Sequence, residues 1–262
     1  MTSSSGPLGF GIDVGGSGIK GARVDLAAGA FAAERVRIPT PQPATPDAVC
    51  DVIAEVLEQA GAPDGPFGLT LPSVVLDGVV RTAANIDKGW IGTDVVALVE
   101  QRTGRRPVAV NDADAAGFAE ARFGAARGVA GTVLVLTLGT GIGSALVVDG
   151  RLVRNTELGH LELDGYDAET RASDAARDRE DLSWEQWAER VERYLRHVDL
   201  LLWPDLVVLG GGVSKKAKHW LPLLDVRPPL VVAELRNDAG IVGAALLAAD
   251  LASEASGGVS GG

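Results

Sequence analysis

Short apolar runs recur along the whole chain, and each is bounded by glycine, proline or small polar residues, the pattern of strands and helices separated by tight turns. Residues 10–14 read as a strand, 15–18 as a Gly turn, and 19–26 as a second strand with alternation through Ile19, Gly21 and Arg23. After the proline-rich stretch Pro39, Pro41, Pro43 and Pro46, either Thr45 or Asp47 can cap a helix to Gln59. That helix places Val49, Ile53, Val56 and Leu57 on one face, and Gly61 stops it. Strands are expected at 67–71 and 78–81, then a helix at 94–102 and a buried strand at 107–110.

From Asn111 the pattern restarts. A helix at 113–123 leads to a strand at 132–138, which runs through Gly139, Gly141 and Gly143 directly into another strand at 144–148 and the turn Asp149-Gly150. Ile12-Asp13-Val14-Gly15-Gly16-Ser17-Gly18 and Leu136-Thr137-Leu138-Gly139-Thr140-Gly141-Ile142-Gly143 are two versions of one hairpin, which predicts two related halves. Residues 164–181, rich in Asp, Glu, Arg and Ala with few large apolar anchors, read as a solvated loop with a helical turn. Trp187, Val191, Leu195, Val198 and Leu202 form one stripe of a helix over 184–202. A buried strand at 206–209 ends in Gly210-Gly211-Gly212, with a helix starting at Ser214, and 239–251 reads as a final apolar helix.

The chain has 262 residues, which favours two domains over one core. The expected division is an α/β domain over 1–110, with the final helix 239–252 packing back on it, and a larger α/β domain over 111–238. The Ser/Gly tail, 253–262, is expected to be disordered. With 24 Lys and Arg against 35 Asp and Glu, the net charge of −11 argues against generic binding to nucleic acid or an anionic membrane, so a polyanionic ligand needs a local basic groove. The single cysteine, Cys50, cannot form an intramolecular disulfide or a multi-cysteine metal site. No leader-like segment and no apolar run of ~18 residues stands out, and a cytoplasmic location is expected.

The chemistry concentrates at the Gly turns. Glycine removes the Cβ and exposes rows of N–H donors, which suits phosphate, although each turn alone reads equally as a tight hairpin. The first two open strands rather than helices, against a dinucleotide fold, and the pattern G-x-x-x-x-G-K-[ST] is missing. Asp13 beside the first turn can hold Mg²⁺ through water or cap the turn. Lys20 can reach a phosphate or remain solvated. Asp112 can cap a helix, or serve as general base for a hydroxyl attacking phosphorus. Glu157 and His160, close together, suit vicinal sugar hydroxyls, or His160 is structural.

At these residues the chain resembles the ROK family of sugar kinases and regulators, from about Gly9 to Ala249. The motifs are Asp13-Val14-Gly15-Gly16-Ser17 with Lys20; Asn111-Asp112; Leu138-Gly139-Thr140-Gly141-Ile142-Gly143; Glu157-Leu158-Gly159-His160; and Leu209-Gly210-Gly211-Gly212-Val213-Ser214. Through Ala84-Asn85-Ile86-Asp87-Lys88-Gly89-Trp90 and Tyr166-Asp167-Ala168-Glu169 it looks most like the polyphosphate-using branch. The resemblance implies an actin-like, duplicated ribonuclease-H-type α/β fold. It implies phosphoryl transfer from inorganic polyphosphate, and also ATP, to the 6-hydroxyl of glucose with Mg²⁺, in a homodimer. Asp112 becomes the base, while Asn85, Asn111, Glu157, His160 and Glu169 hold the other hydroxyls. Asp13, Gly15, Gly16, Ser17, Gly18 and Lys20, with Gly139, Thr140, Gly141 and Gly143, carry the phosphates. Gly211, Gly212, Lys215 and Lys216 lie by the nucleotide or the continuing phosphate chain. Many members add a Cys-x-Cys zinc site that uses the histidine. With no cysteine beyond Cys50, no zinc of that type is expected, and His160 is left for the sugar.

Within this reading a phosphate track draws on Lys20, Lys88, Arg102, Arg105, Arg106, Arg122, Lys215, Lys216 and Lys218, the last three forming the best cluster. A regulator of the same family needs an N-terminal helix-turn-helix of roughly 60 residues, but the first strand begins near residue 9, which disfavours that class. An ATP-only glucokinase is the rival within the class.

Overall fold

A computed structural model, which describes residues 6–83 and 86–257 with side chains through 253, divides the chain into two units. One comprises Met1–Ala119 with Asp238–Gly262, the other Glu120–Asn237.

The first unit contains β1 (Leu8–Gly15), β2 (Gly18–Asp25), β3 (Ala30–Phe31), β4 (Val36–Ile38), α1 (Pro46–Gln59), β5 (Phe67–Leu71), β6 (Val75–Leu76), β7 (Val79–Val80), α2 (Val95–Thr103), β8 (Pro107–Asn111) and the start of α3 (Asp112–Phe123). Its sheet runs β3-β2-β1-β5-β8, with β4 also on β2. β1 and β2 are antiparallel, whereas β1, β5 and β8 are parallel. Thr45 rather than Asp47 caps α1, accepting from the Ala48 N–H, with Pro46 in the first turn where its missing N–H costs nothing. Val49, Cys50, Ile53 and Val56 of α1 pack with Phe10, Ile12, Phe67, Leu69 and Leu71 of the strands in one core. The expected strand at 78–81 is the short β6–β7 hairpin.

The second unit contains β9 (Thr132–Leu138), β10 (Ile142–Val148), β11 (Arg151–Val153), β12 (Glu162–Leu163), β13 (Tyr166–Asp167), α4 (Glu169–Ala172), α5 (Asp174–Arg179), α6 (Trp184–Leu202), β14 (Leu206–Gly210) and β15 (Leu230–Val232). Its sheet order, β11-β10-β9-β14-β15, repeats that of the first unit, again antiparallel on one side of the central strand and parallel on the other. α6 carries a full capping box from Ser183 and Gln186, and it buries Trp187, Val191, Tyr194, Leu195 and Val198. Residues 164–181 are not a solvated loop. They fold into the end of the β12–β13 hairpin and the short helices α4 and α5, anchored by the buried Ala168, Ala172 and Ala176. The segment after β14 is a 3-10 turn, Gly212–His219, rather than an α-helix from Ser214, with a non-helical kink at Lys216.

The chain ends in α7 (Ala239–Gly257), which lies on β1 and β5. The approach is close enough that a Cβ at Gly11 would collide with the Ile241 carbonyl, and one at Gly68 with the Ala244 carbonyl. Gly243 in turn faces the Ala115 carbonyl of α3, which is why the first turns of α3 belong to the first unit and the division falls at residue 119 rather than 110. The helix continues through Gly257, past the expected end at 252, and 258–262 of the expected tail lie outside the described residues.

Candidate active site

The first unit gathers its chemistry at the carboxyl ends of parallel strands, where side chains leave the sheet. Asp13 of β1 pairs in register with Lys20 of β2 and with Thr70 of β5. Lys20 Nζ lies 2.9 Å from Asp13 Oδ2, and Thr70 Oγ1 donates to Asp13 Oδ1 at 3.0 Å. Lys20 is therefore engaged by a carboxylate, with its side chain still partly exposed. Gly15 and Gly18 close the β1–β2 ladder, which leaves Gly16 and Ser17 as a two-residue turn. Thr40 Oγ1 donates to the Gly15 carbonyl at 2.5 Å and steadies it.

At the end of β8, Asn111 is buried. Its Oδ1 accepts from the N–H groups of Ala113 (2.8 Å) and Asp114 (3.1 Å), and its Nδ2 donates to the Ser73 carbonyl at 3.2 Å. Asn111 thus caps α3, and Asp112 is the first residue of the helix, half-buried, with Oδ1 accepting from the Ala113 N–H at 2.8 Å. The expected sugar ligand Asn85 lies outside the described residues.

In the second unit Glu157, His160 and Glu169 come together around the β9–β10 hairpin. The Gly139 N–H donates to the Gly141 carbonyl, and the Gly139 carbonyl accepts from Ala175 at the start of α5, both at 3.0 Å. Glu169 Oε2 accepts from the Ile142 N–H at 3.0 Å and lies against Gly141, where a side chain would displace it. His160 Nδ1 is 2.9 Å from Asp167 Oδ2 and 4.0 Å from Glu169 Oε1, while Nε2 is 3.8 Å from Glu157 Oε2. The hydrogen bond to Asp167, reinforced by the charges of Glu169, Asp167 and Glu157, raises the imidazole pKa against the opposing effect of burial. Burial, with Glu169 nearby, raises the Glu157 carboxyl although His160 opposes it. Asp167, quoted in the branch motif but given no role by sequence reasoning, orients the ring. His160, Asp167 and Glu169 bring ligand atoms within 4.8 Å of one another, a spacing open to a cation as well as to sugar hydroxyls.

The third turn depends on Gly211, at φ +85°, where a Cβ would strike the Leu138 backbone. The Gly211 carbonyl accepts from Ser214 Oγ at 2.8 Å, and the buried Trp220 pins the 3-10 turn by donating to the Val213 carbonyl at 3.3 Å. Lys215, Lys216 and Lys218 are exposed, and among the described residues no carboxylate pairs with them; Lys216 sits 5.8 Å from the Trp184 ring. Three other cations of the expected track have partners within the protein. Arg102 pairs with Asp47 and Asp51, Arg106 with Glu100 at 2.8 Å, and Arg105 binds the Pro63 and Gly65 carbonyls while covering Phe67.

Two related α/β units with Gly hairpins, one with an acid at a strand end and one with an acid–imidazole cluster, define a phosphotransferase of the duplicated kind. Residues 9–174 match the ROK family, and the chain belongs to that family, with its actin-like fold. It is 52% identical over 239 residues to the polyphosphate glucokinase of Mycobacterium tuberculosis (strain CDC 1551 / Oshkosh), covering 91% of this chain and 90% of that protein. It superposes on the inorganic polyphosphate/ATP-glucomannokinase of Arthrobacter sp. strain KM with a TM-score of 0.89 and 54% identity, covering 93% and 99% of the two chains. A ROK family glucokinase from Streptomyces griseus, solved with glucose and AMPPNP, gives a TM-score of 0.78 at 25% identity, covering 93% of this chain and 100% of that one.

Proposed function

We propose that this chain is a glucokinase that transfers the terminal phosphoryl group of inorganic polyphosphate, and also of ATP, to the 6-hydroxyl of glucose, giving glucose 6-phosphate. The observation that carries the reading is the Lys215-Lys216-Lys218 group beside the Gly210–Gly212 turn, which no carboxylate pairs with among the described residues, in a chain with net charge −11. It is supported by the similarity to polyphosphate-using relatives over nine-tenths of the length.

Asp112 accepts the proton of the 6-hydroxyl as that oxygen bonds to phosphorus. The bond from phosphorus to the bridging oxygen breaks, and the shortened chain leaves with the electron pair. Asn111 holds one hydroxyl with whatever donor capacity its capping duty leaves. Glu157, His160 and the free oxygen of Glu169 hold others, and Asp167 fixes His160 so that Nε2 is the nitrogen presented. Because Nδ1 and one Glu169 oxygen are already bonded, the cluster suits hydroxyls better than a zinc ion. The N–H groups at the tips of the Gly turns, those of Gly16, Ser17, Thr140, Gly141, Gly211 and Gly212, with the Thr140 hydroxyl, hold phosphate oxygens.

The Asp13 carboxylate, already bonded by Lys20 and Thr70, retains oxygen lone pairs and is the hard donor that suits Mg²⁺ held through water and phosphates. Bound there, Mg²⁺ supplies charge neutralisation on the phosphate oxygens. We extend the reading to a cytoplasmic homodimer, as the family resemblance implies; sedimentation at a mass near twice that of the chain checks the second part. Among the described residues no helix is long and apolar enough to cross a membrane.

The test is glucose 6-phosphate formation with Mg²⁺ and either polyphosphate or ATP as sole donor. Turnover with polyphosphate that falls at least ~10²-fold in Asp112→Asn is expected. Turnover with ATP alone makes the chain an ordinary glucokinase, and an undiminished Asp112→Asn removes the base assignment.

A further inference from the structure

The register of the first sheet places one polar row across four strands: Arg37 of β4 faces Lys20 of β2, Lys20 faces Asp13 of β1, and Asp13 faces Thr70 of β5. Residues directly opposite one another share a face of the sheet, and like charges so placed repel. Lys20 and Arg37 are such a pair, and the one carboxylate of the row, Asp13, is taken by Lys20 at 2.9 Å. Arg35, two residues before Arg37, has its own acid, Asp238, at 3.3 Å. Among the described residues Arg37 has none. It is exposed, and its Nη2 donates to the Ser17 carbonyl at 2.8 Å. The guanidinium lies flat on Gly18, where a Cβ would stand 2.8–2.9 Å from Nε, Cζ and Nη2. The space over the tip of the turn is open, since a Cβ at Gly16 would meet nothing within 4 Å.

We infer that Arg37 is a phosphate ligand of the β1–β2 turn, binding the phosphoryl donor beside the N–H groups of residues 16–18. The row carries one positive charge more than it carries carboxylates, and an anionic oxygen pair over the turn relieves the repulsion between Lys20 and Arg37. A guanidinium held at one N–H by a carbonyl presents the rest of its fork in a fixed plane, the geometry that takes two oxygens of one phosphate. In this arrangement Lys20 orients Asp13, and Arg37 takes the phosphate-contacting role that position in the chain suggested for Lys20. The inference rests on the reading of the site as one for phosphoryl donors.

Arg37→Gln is compared with Thr40→Val, which loosens the same turn through the Gly15 carbonyl without changing charge. In Arg37→Gln the KM for polyphosphate is expected to rise ~10-fold at low salt, with the KM for glucose changed less than ~2-fold. Added salt should narrow the gap from wild type, because the lost interaction is ionic and exposed. In Thr40→Val any rise in KM should keep the salt dependence of wild type. Equal rises for donor and glucose, or an Arg37→Gln salt profile parallel to wild type, overturn the inference. Calorimetric binding of tripolyphosphate to wild type and Arg37→Gln separates it from the proposed function. If wild type binds tripolyphosphate, Arg37→Gln weakens that binding and neither turns over glucose, the kinase reading falls and Arg37 stands; equal binding by both removes Arg37.

Discussion

The two units use one strand order for opposite chemistry. Two residues before Gly15, the first glycine of its hairpin, the first unit sets Asp13 between Lys20 and Thr70. At the matching place in the second, Thr137 of β9 lies between Gly143 and Gly210. One row is charged and locked by a salt bridge; the other is small and neutral. Duplication has kept the backbone device, a strand running through a Gly hairpin into its neighbour, and has separated the tasks. The first hairpin is equipped for charge. The second offers mainly N–H groups, and the side chains around it, Glu169 above all, arrive from elements outside the sheet.

That contrast can be broken at its centre. Asp13→Thr makes the first row as neutral as the second, and kcat with polyphosphate and Mg²⁺ should fall on the order of 10²-fold while the protein still folds, since Thr at this register still meets Thr70. Steady-state kinetics with far-ultraviolet circular dichroism decide it, and a fall below threefold would mean that the charged row is only structural. Next in size, replacing Lys215, Lys216 and Lys218 together by Gln should raise the KM for polyphosphate ~10-fold at low salt and leave that for glucose alone. Equal changes in both constants would return the cluster to ordinary solvated surface.

The smallest effect concerns His160. Its folded pKa is raised above the unfolded value, so the hydrogen bond to Asp167 contributes stability that is fully present below the unfolded pKa and is lost as pH rises through the folded one. Asp167→Asn should therefore be less stable than wild type at pH 5.5, by under ~1 kcal/mol because the pair is 40% exposed, and indistinguishable well above the folded pKa. Urea unfolding at the two pH values reads the difference, and nuclear magnetic resonance titration of the ring should show its pKa lowered in the variant.

How much of this was legible in the sequence follows the reach of each interaction. The strand at 132–138 and the helix at 184–202 were readable to the residue, because their apolar periods are long and their ends carry turn or capping residues. Residues 164–181 were not, because alanines anchor them. Ala168, Ala172 and Ala176 are buried, yet they give no signal that separates them from surface alanines. The residue types of the site were readable at the Gly turns and at Glu157–His160, where they stand close in sequence. The partners that fix them were not. Asp13 is held by Thr70, fifty-seven positions away, and Arg37 reaches the first turn through strand register, which no local pattern encodes. The cap at the end of β8 fell to Asn111 instead of Asp112, a one-residue distinction that only the turn geometry makes.

The seating of α7 on β1 and β5 bears on how the molecule is made. The first unit is closed by α7, which is synthesised after the strands of both sheets, and at Gly11 and Gly68 the sheet is shaped to receive that helix with no side chain between. While the chain is being synthesised, that face of the first sheet has no cover. Residues 120–237 can fold as a unit before it is complete, so the unit begun first is finished last. A chain released early, short of Ile241, would carry every strand of the sheets and still expose an apolar face, which marks it for aggregation or degradation.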